Sequence, residues 1–125
     1  MVRGACLDLL HYAATKLARG ELYEAIGMLG FIREQVLGPL FYRRAGRNQR
    51  GVRRLESLRL DKHGRLAATV AQHDASSIRM AIEVCIDIYL DLRSDDPPVQ
   101  PTNMMPELLL DFVRNANSNS LIDPH

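Results

Sequence analysis

Between Asp74 and Pro97 the apolar residues recur every three or four positions, and this run constrains the chain more than any other. Ile78, Ile82, Cys85, Ile86 and Tyr89 form one stripe, and Ala81, Val84, Ile88 and Leu92 form a second. Such spacing belongs to a helix, because a half-buried strand would alternate polarity at every residue. Asp74 is placed to cap the first turn, with Ser76 and Ser77 behind it. Asp95-Asp96-Pro97-Pro98 stops the run. Two apolar stripes on one helix require neighbours on more than one side, so a helix over 75–93 is expected to lie centrally in a bundle.

The rest of the chain supplies neighbours. Leu7, Leu10, Ala14 and Leu17 mark a first helix over 5–19, ended by Gly20. Leu22, Ile26, Leu29, Val36 and Leu40 mark a second over 21–42, broadened by Ala25, Met28 and Ile32. Gly27 and Gly30 weaken that helix unless another helix approaches closely there, and Pro39 is expected to kink or interrupt it. A polar loop over 46–53 follows, then short helices over 52–58 and 63–70. Residues 94–104 read as a linker, 106–116 as a short amphipathic helix and 117–125 as a frayed tail. The expected fold is all-α: an antiparallel up-and-down bundle of five or six helices with a short C-terminal helix. Residues 1–93 form the bundle domain in this reading.

A length of 125 residues fits one domain with one core. No apolar run reaches the roughly 20 residues of a membrane span, and the first residues lack a signal-peptide pattern, so a cytoplasmic protein is expected. Cys6 and Cys85 fall in apolar helical patterns and read as reduced core residues in preference to a disulfide, with Cys6 the more exposed. The net charge of +1 hides a segregation. Residues 43–65 carry nine basic and two acidic side chains, a balance of +7, and residues 74–111 carry eight acidic and two basic, a balance of −6. Such surfaces, with the wide apolar faces, lead to the expectation of a homodimer.

The arginine-rich segment admits two readings: a phosphate-binding surface, or a connection that pairs with the chain's own acidic helix. It has no interleaved aromatics for base stacking, which argues against a nucleic-acid partner. Glu83, Asp87 and Asp91 share a helix face, either as a solvated strip or as a site for a polycation or metal. Arg59 and His63 resemble the arginine–histidine pair of HEPN-type ribonucleases, which are also helical bundles, but only three residues intervene and Leu60 replaces the usual polar residue. There is no G-x-x-x-x-G-K-[ST], G-x-G-x-x-G or H-E-x-x-H motif, and no glycine-serine turn with a paired-aspartate strand. No catalytic residue and no metal ligand is assigned, and the chain alone is expected to bind no cofactor.

Several short blocks act together. They are Lys16, the Arg19-Gly20-Glu21 turn, Glu24-Ala25, Arg33, Val36-Leu37-Gly38-Pro39-Leu40, Arg50-Gly51-Val52-Arg53-Arg54-Leu55-Glu56 and Tyr89-Leu90-Asp91-Leu92-Arg93. Over residues 7–93 this set resembles the C-terminal helical domain of bacterial nucleotidyltransferases related to aminoglycoside-modifying enzymes. The resemblance implies an accessory domain that shapes the acceptor cleft and helps dimerisation. It also implies a separate α/β catalytic domain or subunit that holds Mg2+ and ATP. It points to Lys16, Glu21, Glu24, Arg33, Arg53 and Arg54 as ligand contacts. The competing readings are a stand-alone homodimerisation or interaction module and a HEPN-type ribonuclease.

Overall fold

A computed structural model describes residues 5–48 and 51–94; the expected linker and short helix of 94–116 lie outside it, apart from Ser94. The described residues are helical, without a strand. Helix α1 spans Ala5–Ala18. Helix α2 spans Leu22–Ile32, a π-helical turn spans Arg33–Leu37 and helix α3 spans Gly38–Arg44. A 3-10 helix spans Arg65–Thr69, and helix α4 spans Ala75–Leu92.

The turn between α1 and α2 follows from Gly20. Its φ of 77° is left-handed, its N–H donates to Leu17 O, and the next N–H, of Glu21, donates to Lys16 O. This is a Schellman closure, which satisfies the last carbonyls and reverses the chain. Helices α1 and α2 therefore pack as an antiparallel pair.

Pro39 does not interrupt the helix, and the backbone stays right-handed helical from Ile32 through Gly38. Pro39 cannot donate to a carbonyl of the preceding turn. The helix widens just upstream instead, and Gly38 N–H bonds Arg33 O, five residues back. The segment from Leu22 to Arg44 is thus one continuous rod.

Asp74 caps α4 as its sequence predicts, accepting from Ser77 N–H at 2.8 Å. The α4 stripes are covered within the chain: Ile78, Ile82, Cys85, Ile86, Ile88 and Leu92 are all buried, against α1 and the second rod. The same holds for Leu29, Ile32, Val36, Leu37, Leu40 and Phe41. Uncovered apolar faces on these helices are one of the two grounds for expecting self-association, and a single chain covers them. The remaining exposed large apolar residues, such as Tyr23, Phe31, Val70 and Met80, come from several elements.

Two ends define the direction of α4. Tyr23, at the start of α2, packs against His73, just before α4, with ring centroids 4.4 Å apart and planes tilted by 43°. At the other end, Arg43 and Arg44 of α3 donate to the carbonyls of Leu92 and Asp91 in the last turn of α4. Helix α4 therefore runs parallel to the second rod, which corrects the up-and-down expectation. The connection from 45 to 74 carries the chain back to the starting end, and an antiparallel neighbour would need only a short turn.

That connection also corrects the expected helix over 52–58. Residues 51–59 form consecutive turns, and Arg54 and Arg59 adopt φ of 64° and 56°. A left-handed residue breaks the i→i−4 ladder, so the apolar spacing of Val52, Leu55 and Leu58 produces turns facing the core rather than a helix. The expected helix over 63–70 is the 3-10 helix Arg65–Thr69.

Both thiols are buried, including Cys6, which is 1% exposed where greater exposure was expected. Burial pushes the Cys85 thiol up to about 12, with the Arg33 guanidinium partly opposing it. Cys6 is also raised, by burial first and by the neighbouring Cys85 second. Neither thiol offers thiolate at neutral pH, so a disulfide-exchange reagent at pH 8 is expected to label no cysteine rapidly in the native protein and both after denaturation. A fast-reacting thiol in the native state contradicts this packing.

Candidate ligand cleft

Arg33 stands where α2 passes into the π turn, and its guanidinium reaches across to the 3-10 helix. Nη1 donates to Thr69 O at 2.6 Å and to Thr69 Oγ1 at 3.3 Å. Thr69 is fully buried and donates its own hydroxyl hydrogen to Leu66 O at 2.7 Å. Asp61 holds the other end of this helix, accepting from Arg65 N–H at 3.2 Å and Leu66 N–H at 2.8 Å. Gly64, at φ 66°, makes the left-handed step between them. Arg65 ties the unit to α4 through Asp91, Nη2 to Oδ2 at 2.9 Å.

The opposite wall comes from residues 51–59. Gly51 lies directly on Gly38, where a Cβ at Gly38 would sit 2.8 Å from the Gly51 carbonyl carbon. Val52 N–H donates to Glu34 Oε2 at 3.2 Å, and the Tyr42 hydroxyl donates to Arg53 O. Leu55 is buried at 2% exposure and anchors the turns in the core. Close helix approach is not found at the expected Gly27 and Gly30: Gly27 faces open space and an added Cβ at Gly30 would meet only the Arg33 guanidinium, whereas at Gly38 it would meet backbone and at Gly51 the Glu34 carboxylate.

Between these walls lies a cleft of about 630 Å3, within the size range of small-molecule sites. Val52, Leu55, Leu66, Ala67 and Val70 supply its apolar lining. Arg33, Arg59, Lys62, Glu56 and Asp61 supply its charges. Asp61 is committed to two backbone amides and Arg33 to Thr69. Arg59, Lys62 and Glu56 are exposed and form no ion pair with another described residue, which leaves them available to a ligand.

Of the six residues expected to contact ligand, only Arg33 lines this cleft. Lys16 and Glu21 pair with each other at 3.3 Å, with Arg19 3.8 Å from Glu21 and the Tyr12 ring 5.2 Å from the Lys16 ammonium. Their side chains steady the α1–α2 turn; Glu21 makes no capping hydrogen bond to α2. Glu24 is exposed on α2. Arg53 and Arg54 are exposed on the turns and outside the cleft lining. Sequence reasoning passed over Val52, Leu66 and Lys62, which share no periodicity and meet only because the 3-10 helix folds back on the turns.

Part of the arginine-rich segment bonds the end of α4. Arg43, Arg44 and Arg65 reach the end of α4, where cations complement the helix dipole. Arg47, Arg53, Arg54, Arg59 and Lys62 make no side-chain bond to another described residue. On the acidic strip, Glu83 pairs with Arg79 one turn earlier and Asp91 with Arg65. Among the described residues no three ligating side chains converge as a metal requires, and no helix is long and apolar enough to cross a membrane. Arg59 lines the cleft and His63 is not among its lining residues. No protein-family model matches the chain, and neither a curated protein nor a solved structure matches it significantly.

Proposed function

We propose that this chain is a non-catalytic ligand-binding helical domain that works beside a nucleotidyltransferase catalytic domain and holds the acceptor. The cleft between residues 51–59 and the Arg65–Thr69 helix carries the proposal. It combines an apolar floor with uncommitted charges of both signs. Arg59 and Lys62 suit a phosphate or carboxylate, and Glu56 suits an amine. The resemblance of residues 7–93 to the helical domain of aminoglycoside-related nucleotidyltransferases supports the same role. Mg2+ and ATP would belong to the catalytic partner.

Calorimetric titration of the purified chain with ATP and with a panel of aminoglycosides tests this reading. Saturable binding of one of these probes is expected, together with its loss in Leu66→Glu, which places a charge on the apolar floor. No nucleotide transfer from labelled ATP to the panel is expected with magnesium present, because transfer requires metal ions bridging the triphosphate and a positioned acceptor. Turnover by the isolated chain, or no binding of any probe, defeats the proposal.

A further inference from the structure

We propose that the cleft is also a docking site for residues 106–116 of this same chain, whose apolar face occupies the floor that a ligand would otherwise take. Ser94 is the last described residue before that segment, and it follows directly on the α4 turn that Asp91 ties to Arg65. Arg65 opens the 3-10 helix that forms one wall, so the chain leaves the fold beside the cleft. Residues 95–105 are eleven in number and extend to at most roughly 35–40 Å, ample to reach any part of a cleft beside their origin.

The segment matches the cleft in chemistry. Leu108, Leu109, Phe112 and Val113 fall on one face of a helix, and Glu107 and Asp111 lie one turn apart on another. The cleft offers an apolar floor of Leu55, Leu66 and Val70 beneath the uncommitted cations Arg59 and Lys62. From Asp95 to Ala116 the chain carries four acidic side chains and one basic, Arg114. A tethered segment of this kind acts at high effective concentration, so weak contacts are enough to fill the cleft. A free ligand then competes with the tail.

A nitroxide on Asn115→Cys in the full chain tests the docking, because Cys6 and Cys85 are buried. The amides of Lys62, Leu66 and Ala67 are expected to lose most of their NMR intensity relative to the reduced label. A mixture of isotope-labelled chain without nitroxide and unlabelled chain with nitroxide is expected to show no such loss. Leu109→Glu combined with Phe112→Glu is expected to restore the intensities, and both positions lie outside the described core. Undisturbed cleft amides, persistence of the effect in the double variant, or equal loss in the mixture overturns the proposal; the last outcome would indicate a second copy. The test uses no ligand, so it stands or falls separately from the nucleotidyltransferase reading.

Discussion

Replacing Gly38 with alanine is expected to lower the stability of the folded chain by about 1–3 kcal/mol, the usual cost of forcing atoms into a packed site. The added Cβ would press on the Gly51 carbonyl oxygen, 2.8 Å from its carbon and 3.1 Å from Arg33 O. All three neighbours are backbone, so no rotamer change relieves the contact. Relief requires residues 51–59 to lift off the rod, which opens one wall of the cleft. Gly51→Ala is a milder case. Its Cβ collides with the Glu34 carboxylate, the end of a flexible and exposed side chain. Glu34 can rotate away at the loss of its bond from Val52 N–H, a cost of about 1 kcal/mol. Gly27→Ala reverses the sign. Nothing lies within 4 Å of its added Cβ, and alanine in an exposed helix interior gains about 0.5–1 kcal/mol over glycine. Urea unfolding of the three variants is expected to rank them Gly27→Ala above the parent, then Gly51→Ala, then Gly38→Ala lowest. Equal midpoints for Gly27→Ala and Gly38→Ala would show that the turns do not rest on the rod.

The second large effect is expected at Arg33. In Arg33→Met the Thr69 carbonyl loses its charged donor inside the protein, and such a bond contributes roughly 1.5–3 kcal/mol. Of its polar ties to other parts of the chain, the 3-10 helix then keeps Asp61 at its start and the Arg65–Asp91 pair. Hydrogen exchange over 65–70 is expected to speed up more than exchange in α1, and ligand binding at the cleft is expected to fall with it. Arg33→Lys keeps the charge but not the planar guanidinium, and recovers only part of the loss. Thr69→Val supplies the comparison, since it keeps the carbonyl but removes the second acceptor and the hydroxyl's own bond to Leu66 O. A double-mutant cycle between Arg33→Met and Thr69→Val is expected to be non-additive. Strict additivity, with unchanged exchange over 65–70, contradicts this account of how the wall is held.

Helix periodicity reads local geometry, and the local features it names are present here. The stripes of residues 75–93 correspond to α4, Gly20 closes α1 and Asp74 caps α4, because each depends on neighbours within four or five positions. The same periodicity misread residues 52–58, where a docked backbone at Gly38 and two left-handed arginines override the apolar spacing. The helix passes Pro39 without a break, and a π turn just upstream accommodates the missing donor.

Among the site residues, Lys16 and Glu21 were legible as charged groups beside a turn, but a sequence does not show that they satisfy each other across it. Arg33 and Thr69 are separated by 36 positions, and their pairing depends on how the connection from 45 to 74 returns. That return also sets α4 parallel to the second rod and brings Lys62 and Leu66 over Val52 and Leu55. The sequence alone determined that the described chain is helical, the approximate extents of α1 and α4, and which of their faces are apolar, since these follow from contacts along the chain. The direction of α4 and the existence of the cleft were decided only by the tertiary structure, because both arise from backbone docking and buried hydrogen bonds between residues far apart in sequence.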